Sequence, residues 1–173
     1  MPANDTSASN GKKPSYKSRK KNDSLENFGH LQPQAVELEQ AVLGALMIER
    51  DAYYQVSEIL RPESFYDNRH QIIYEAIRRL NLEEKPVDIL TVTEALRNTN
   101  QLEEAGGPFY ITQLSGMVAS SAHIEYHARI IAQKATARAL ISYTSGIQTK
   151  AFDATTDIDV LMQEAEGKLF ELS

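Results

Sequence analysis

The segment between Ser121 and Phe152 constrains the fold most strongly, because Gly146 is its only residue that disfavours a helix. A helix of about 29 residues is roughly 43 Å long at ~1.5 Å per residue. Ser120 and Ser121 are both placed to cap its start. After a short turn at 153–156, a second apolar pattern of nearly heptad spacing runs to the end of the chain. Two helices joined by a short turn run antiparallel, so residues 120–173 are predicted to form a long helical hairpin.

Residues 31–119 contain shorter helical patterns separated by turn residues. Apolar side chains recur there at three- and four-residue spacing, which is typical of helices with one buried face. Two of these helices have candidate caps, at Asp67 or Asn68 and at Asp88, and Pro33 and Pro108 are placed to begin two others. Short amphipathic helices bury their apolar faces only by packing on one another. The predicted fold class is therefore all-α, a compact multi-helix head followed by a long antiparallel helical hairpin.

Residues 1–30 form a separate basic tail. They have almost no apolar side chains before Leu25, so they cannot offset chain entropy by burial and are predicted to be disordered. The tail carries a net charge of +3, whereas the rest of the chain carries −9. An acidic body repels phosphate backbones, which argues against a broad nucleic-acid surface on the folded part. An alternative function stays open at this point, a helical nucleic-acid-binding module acting through the basic tail.

Several kinds of catalytic or cofactor site are unsupported by the sequence. The chain has no cysteine, which excludes disulfides, a cysteine zinc site and a thiol nucleophile. Both Gly-Lys pairs lack the glycine spacing and the Ser or Thr of a phosphate-binding loop. His123 and His127 share a helix face, but neither the metalloprotease pattern nor a third ligand accompanies them. No catalytic, cofactor or metal residues are predicted, although a small helical hydrolase with an unrecognised carboxylate pair stays open as a rival.

No segment is suited to a membrane. The longest apolar stretch, Ala41–Ile48, is far shorter than the ~20 residues that a helical span requires. The N-terminus also lacks the apolar core of a signal peptide. These features, with the absence of cysteine, predict a cytoplasmic protein.

Five sequence segments occur in an order and spacing that identify a family. They are Pro33-Gln34-Ala35-Val36-Glu37-Leu38-Glu39-Gln40-Ala41-Val42-Leu43-Gly44-Ala45; Phe65-Tyr66 with His70-Gln71-Ile72-Ile73; Pro86-Val87-Asp88 with Thr91-Val92-Thr93; Leu102-Glu103-Glu104-Ala105-Gly106-Gly107 with Tyr110 and Leu114; and Ile124-Glu125-Tyr126-His127-Ala128-Arg129-Ile130-Ile131. In these segments the chain resembles the N-terminal domain of the DnaB-type replicative helicase family. One departure is Ala119-Ser120, where family members often have Pro-Thr before the long helix.

The resemblance implies a role in DNA replication. Members of the family are hexameric rings that encircle single-stranded DNA and unwind the duplex at the fork, with ATP and Mg²⁺ bound in a separate RecA-like C-terminal domain. Their N-terminal domains form a collar in which hairpins pair, and the collar docks primase; a helicase loader is a further candidate partner. This chain ends at Ser173, before any such ATPase domain. It is therefore expected to be a non-catalytic fragment for assembly and primase recruitment.

Two sets of residues are candidates for contacts. The primase-facing positions implied by the resemblance are Glu37, Tyr110, Ile141 and Ile147. A hairpin this long has more apolar surface than its two helices can cover, which predicts self-association. The candidates for that contact are Ile130, Tyr143, Leu161, Met162 and Leu169. Three alternatives stay open, in which Tyr110 packs inside the head, Ile141 packs inside the hairpin, or the hairpin folds back onto the head.

Overall fold

The computed structural model describes residues 31–117 and 123–172, and in these residues the chain forms α-helices and no β-strand. The helices are α1 (Val36–Ile48), α2 (Ala52–Val56), α3 (Asn68–Leu82), α4 (Ile89–Asn98), α5 (Gly107–Gly116), α6 (Ile124–Phe152) and α7 (Ile158–Leu172), with a 3₁₀ turn at Pro62–Ser64. The predicted all-α fold class is confirmed. The basic tail, with the disorder and nucleic-acid binding predicted for it, lies outside the described residues, as do Ala119-Ser120 and the predicted caps at Ser120 and Ser121.

Helix α1 is the centre of the head. It is apolar on nearly all sides, and an all-round apolar helix is stable only when other elements surround it. Val42, Leu43 and Leu46 are buried, and α1 packs against α3, α5 and α6. Beside it the rings of Phe65 and Tyr74 lie 4.9 Å apart. Burial raises the pKa of the Tyr74 hydroxyl, which stays protonated and donates to a backbone carbonyl 3.3 Å away.

The helix starts in the head follow local capping chemistry. The Asp67 carboxylate accepts a 2.9 Å hydrogen bond from the N–H of Arg69 at the start of α3. Asp88 accepts from the N–H of Thr91 at 2.8 Å, and the Thr91 hydroxyl accepts from the N–H of Asp88 at 2.9 Å. Pro108 lies in the first turn of α5, where its missing N–H costs nothing. All three predicted helix starts are confirmed.

Helix α6 has one half on the head and one half beyond it. Ile124, Ala128 and Ile131 are buried in the head core, so the first half of α6 completes the head. The Arg138 guanidinium then donates to the carbonyls of Pro33 at 2.7 Å and of Ser64 at 2.8 Å. The prediction that Pro33 begins a helix is wrong, because α1 starts at Val36 and Pro33 serves instead as an acceptor for α6. The division at residue 119 between head and hairpin stays a prediction.

The second half of α6 pairs with α7. No α6 residue after Arg138 is fully buried, and in α7 only Leu161 is, among the described residues. The Tyr143 hydroxyl donates to the Glu164 carbonyl at 3.1 Å, and Lys150 forms an ion pair with the Glu164 carboxylate. The hairpin therefore has a thin contact layer of its own, in contrast to the thick core of the head.

Replacing Asp67 with alanine is expected to lower the free energy of unfolding by about 1 kcal/mol, because α3 loses its cap. The hydrogen bond from the Arg69 side chain holds the pKa of Asp67 below its ordinary value of 3.8. The stabilisation is therefore present above that ordinary value and is lost as pH falls through the lower pKa of the folded state. Urea unfolding at several pH values measures both effects.

The matched control for that experiment is Asp51→Ala. Asp51 occupies the same position before α2, but its side chain caps nothing. Its replacement is expected to change stability by less than about 0.5 kcal/mol. Equal losses for the two variants, or a loss for Asp67→Ala that is unchanged in acid, would contradict the capping role.

Candidate functional site

A buried polar network joins α1, α3 and α5 at one end of the head. Glu39 Oε2 lies 2.6 Å from Nδ1 of His70, and Nε2 of His70 lies 2.7 Å from the hydroxyl oxygen of Tyr110. Glu39 and His70 have essentially no exposed surface. The Glu39 carboxylate also accepts a 2.7 Å hydrogen bond from the N–H of Tyr66. Polar groups without water are costly unless they are hydrogen-bonded, and within the described residues every fully buried side-chain nitrogen and oxygen has a partner.

The hydrogen bonds of the network give both ring nitrogens of His70 a partner. Nδ1 is bonded to the Glu39 carboxylate and Nε2 to the Tyr110 hydroxyl. The Tyr110 oxygen also accepts from the Gln40 side-chain amide at 3.4 Å. His70 is fully enclosed by protein, and the network joins α1, α3 and α5 in the core of the head.

Sequence reasoning missed this network although its three residues lie in the segments that carry the family resemblance. The sequence contained a signal, because three polar residues lie on helix faces that are otherwise apolar: Glu39, His70 and Tyr110. A polar side chain on such a face needs a hydrogen-bond partner in the core.

The predicted primase-facing residues lie on three helices, α1, α5 and α6. Glu37 is exposed on the first turn of α1, whereas Ile141 lies beyond Arg138 on α6 and is 45% exposed. Ile147 is half-buried on the same helix. Tyr110 is only 9% exposed. Of the two placements left open for Tyr110, the structure has the one inside the head, where its hydroxyl bonds to the buried imidazole.

The turn before α5 explains where the Tyr110 ring lies. Gly106 has φ +98°, and a Cβ at this position would meet the Tyr110 ring at 2.8 Å. Glycine is thus required for both the left-handed backbone and the close approach of the ring. The side chain of Phe109, the residue before Tyr110, points into solvent instead.

The predicted self-association residues occupy three environments. Leu161 is buried in the contact of α7 with α6, so within one chain it is already covered. Ile130 and Tyr143 are half-buried. Met162 is 57% exposed and Leu169 is 47% exposed. Together with Ile158, these last two recur at four- and seven-residue spacing and form an exposed stripe along α7, which we call the α7 stripe.

Residues 31–133 match the family model of the DnaB-like helicase N terminal domain. The chain belongs to this family. It is 50% identical over 148 residues to the replicative DNA helicase DnaB of Rhodothermus marinus, covering 86% of this chain and 16% of that protein. It is 43% identical over 141 residues to the DnaB of Geobacillus stearothermophilus, covering 82% of this chain and 31% of that protein. The chain thus spans less than a third of either relative.

Solved structures carry the same DnaB-like fold. The crystal structure of the N-terminal domain of DnaB helicase from Mycobacterium tuberculosis aligns with a TM-score of 0.77 and 30% identity, covering 83% of this chain and 100% of that one. A DnaB-like replicative helicase, whose structure was reported with its interactions with primase, aligns with a TM-score of 0.66 and 27% identity. That match covers 80% of this chain and 32% of the other.

Two negative findings complete the description of this DnaB-like domain. Within residues 31–117 and 123–172, no group of three or more histidine or acidic side chains could hold a metal ion. Across the same residues, no helix combines the length and the apolar character needed to cross a membrane. His123 is exposed and His127 is half-buried at the start of α6.

Replacing His70 with alanine is expected to lower the free energy of unfolding of this DnaB-like domain by about 3 kcal/mol. The change leaves the Glu39 carboxylate buried without its imidazole partner and opens a cavity. Tyr110→Phe removes only the terminal hydroxyl and is expected to cost about 1 kcal/mol. Denaturant titration measures both losses.

Glu37→Gln is the matched control for the network, because Glu37 lies on the same helix two residues before Glu39 and is exposed. Its effect is expected to stay below about 0.5 kcal/mol. A His70→Ala variant no less stable than this control would show that the network does not hold the helices together.

Proposed function

We propose that this chain is the assembly and primase-recruiting domain of a hexameric replicative DNA helicase, with no catalysis of its own. The observation that carries the assembly role is the α7 stripe, which is exposed on the outside of a thin hairpin. Contiguous exposed apolar surface typically marks an association site. The family membership supports the same role.

The assembly step is the pairing of hairpins from two copies. Burying a large apolar side chain completely is worth about 1.5–3 kcal/mol, and the stripe side chains are already about half covered. Association itself costs at least ~4 kcal/mol. The stripe therefore supports only a weak dimer of the isolated domain, and a ring of six requires the further contacts of the parent protein.

The primase-recruiting step rests on the similarity to the DnaB-like helicase reported with its primase interactions. In our proposal each head offers one docking surface, and several heads in one ring raise the effective concentration of primase at the fork. A titration of the domain with the cognate primase measures the affinity directly. A complete lack of binding would overturn the recruiting role.

Further parts of the proposal concern the longer parent protein. We propose that ATP and Mg²⁺ bind a RecA-like domain after Ser173, that the ring encircles single-stranded DNA in the cytoplasm, and that a loader assists its placement. The relatives are named replicative DNA helicases, and this chain spans 16% and 31% of two of them. A Gly-x-x-x-x-Gly-Lys-Ser/Thr segment downstream in the parent reading frame is the expected observation.

The assembly role predicts concentration-dependent association of the isolated domain. Sedimentation of the wild-type domain over a dilution series is expected to show a reversible monomer–dimer equilibrium. The double variant Met162→Glu with Leu169→Glu places two charges in the α7 stripe and is expected to weaken the dimer at least about tenfold. Leu90→Glu is the control, because Leu90 is exposed on the first turn of α4, where an acidic side chain is tolerated. A wild-type domain that stays monomeric at its highest concentration would contradict the assembly role.

A further inference from the structure

We infer that Phe109 is the aromatic anchor through which the head docks primase, and that it enters an apolar pocket rimmed by basic side chains. This inference rests on the proposed recruiting function and names the residue and the chemistry of that contact. Phe109 is 80% exposed in the first turn of α5, one residue before the buried Tyr110. Phe109 is thus the exposed aromatic residue of this turn, whereas Tyr110 packs inside the head.

The backbone beneath Phe109 is held rigidly. Gly106 and Gly107 have φ of +98° and +78°, and Pro108 fixes its own φ and restricts Gly107 before it. On the other side, the Tyr110 hydroxyl bonds to His70 at 2.7 Å, and the Arg69 guanidinium lies over the Tyr110 ring, 4.3 Å from its centre. The backbone that carries Phe109 therefore loses little conformational freedom on binding, which favours an aromatic residue there as an interface anchor.

The surroundings of Phe109 are acidic. Glu103 lies in the same turn, with Oε2 3.8 Å from the position that a Cβ of Gly107 would occupy, and Glu104 follows it in the chain. Both glutamates are exposed.

These two carboxylates form no ion pair with a Lys or Arg in the part of the chain that the structure describes. Glu104 accepts a 3.1 Å hydrogen bond from the Asn68 side-chain amide, which carries no charge. Both negative charges therefore lie near Phe109 in the chain without a paired cation. Complementarity requires a partner surface with an apolar pocket for the ring and lysine or arginine side chains at its edge. An acidic partner would be repelled, and a second copy of this acidic head is disfavoured for the same reason.

The experiment is a binding titration of the domain with the cognate primase, compared across matched variants. Phe109→Ala is expected to weaken binding about 30-fold, in the range of an interface anchor. Leu90→Ala is its control, because Leu90 is 79% exposed on a different helix of the head. This control is expected to bind within about twofold of the wild type. Both positions are exposed, so thermal unfolding should show both variants to be folded.

A second pair of variants tests the acidic rim. The double variant Glu103→Gln with Glu104→Gln is expected to associate with primase about threefold more slowly than the wild type at low salt. This difference in rate is expected to disappear at high salt. Glu83→Gln with Glu84→Gln makes the same charge change at the turn after α3 and is expected to leave the association rate unchanged.

The outcomes separate the two levels of the proposal. If the wild-type domain does not bind primase, the proposed recruiting function is overturned. If the wild type binds and Phe109→Ala binds as well as Leu90→Ala, only the assignment of the anchor is overturned. If the two pairs of glutamine variants have the same association rate at low salt, the proposal that the partner has a basic rim is overturned.

Discussion

The removal of the Glu39 carboxylate from water is the constraint on which the head depends. Burying a carboxylate costs free energy unless several hydrogen bonds replace its contacts with water. For Glu39 these hydrogen bonds come from the backbone just before α3 and from His70. α1 can therefore meet α3 in only one register. His70 then needs Tyr110 on its other nitrogen, which sets the register of α5. Apolar packing alone tolerates sliding, whereas a satisfied polar network specifies one arrangement.

The long helix α6 links this well-specified head to a hairpin with a much thinner contact layer. Its first half shares the head core, and Arg138 makes the last hydrogen bonds to the head. Beyond that point Leu161 provides the one buried apolar side chain of α7 among the described residues. Regions with few buried contacts open at low free-energy cost. A partner that binds only the closed hairpin would stabilise it, so assembly and hairpin stability are coupled in the proposed function.

Much of the fold was predictable because its signals are local. The caps at Asp67 and Asp88 and the uninterrupted run of α6 depend on neighbouring residues alone. The partners of a side chain depend on distant helices, so the link of Glu39 to His70 was missed.

The environment of Tyr110 shows what helical spacing can predict, since α5 has one buried stripe formed by Tyr110, Ile111 and Leu114. That spacing favours burial of Tyr110 and exposure of Phe109, whereas the family resemblance implied a primase-facing position at Tyr110. In α7 the spacing revealed an apolar seam without showing that α6 would cover Leu161 and leave Met162 exposed.

The two candidate surfaces differ in chemistry, and this difference bears on how one domain could serve two partners. The α7 stripe is apolar and lies on the hairpin, whereas the Phe109 surface is an aromatic ring among carboxylates on the head. An apolar stripe can pair with the same stripe of a second copy, because the contact brings no like charges together. A surface of uncompensated carboxylates repels its own copy and selects a basic partner. Pairing through the hairpins would thus leave the heads free, and each additional copy in an assembly would add one more docking surface of unchanged affinity.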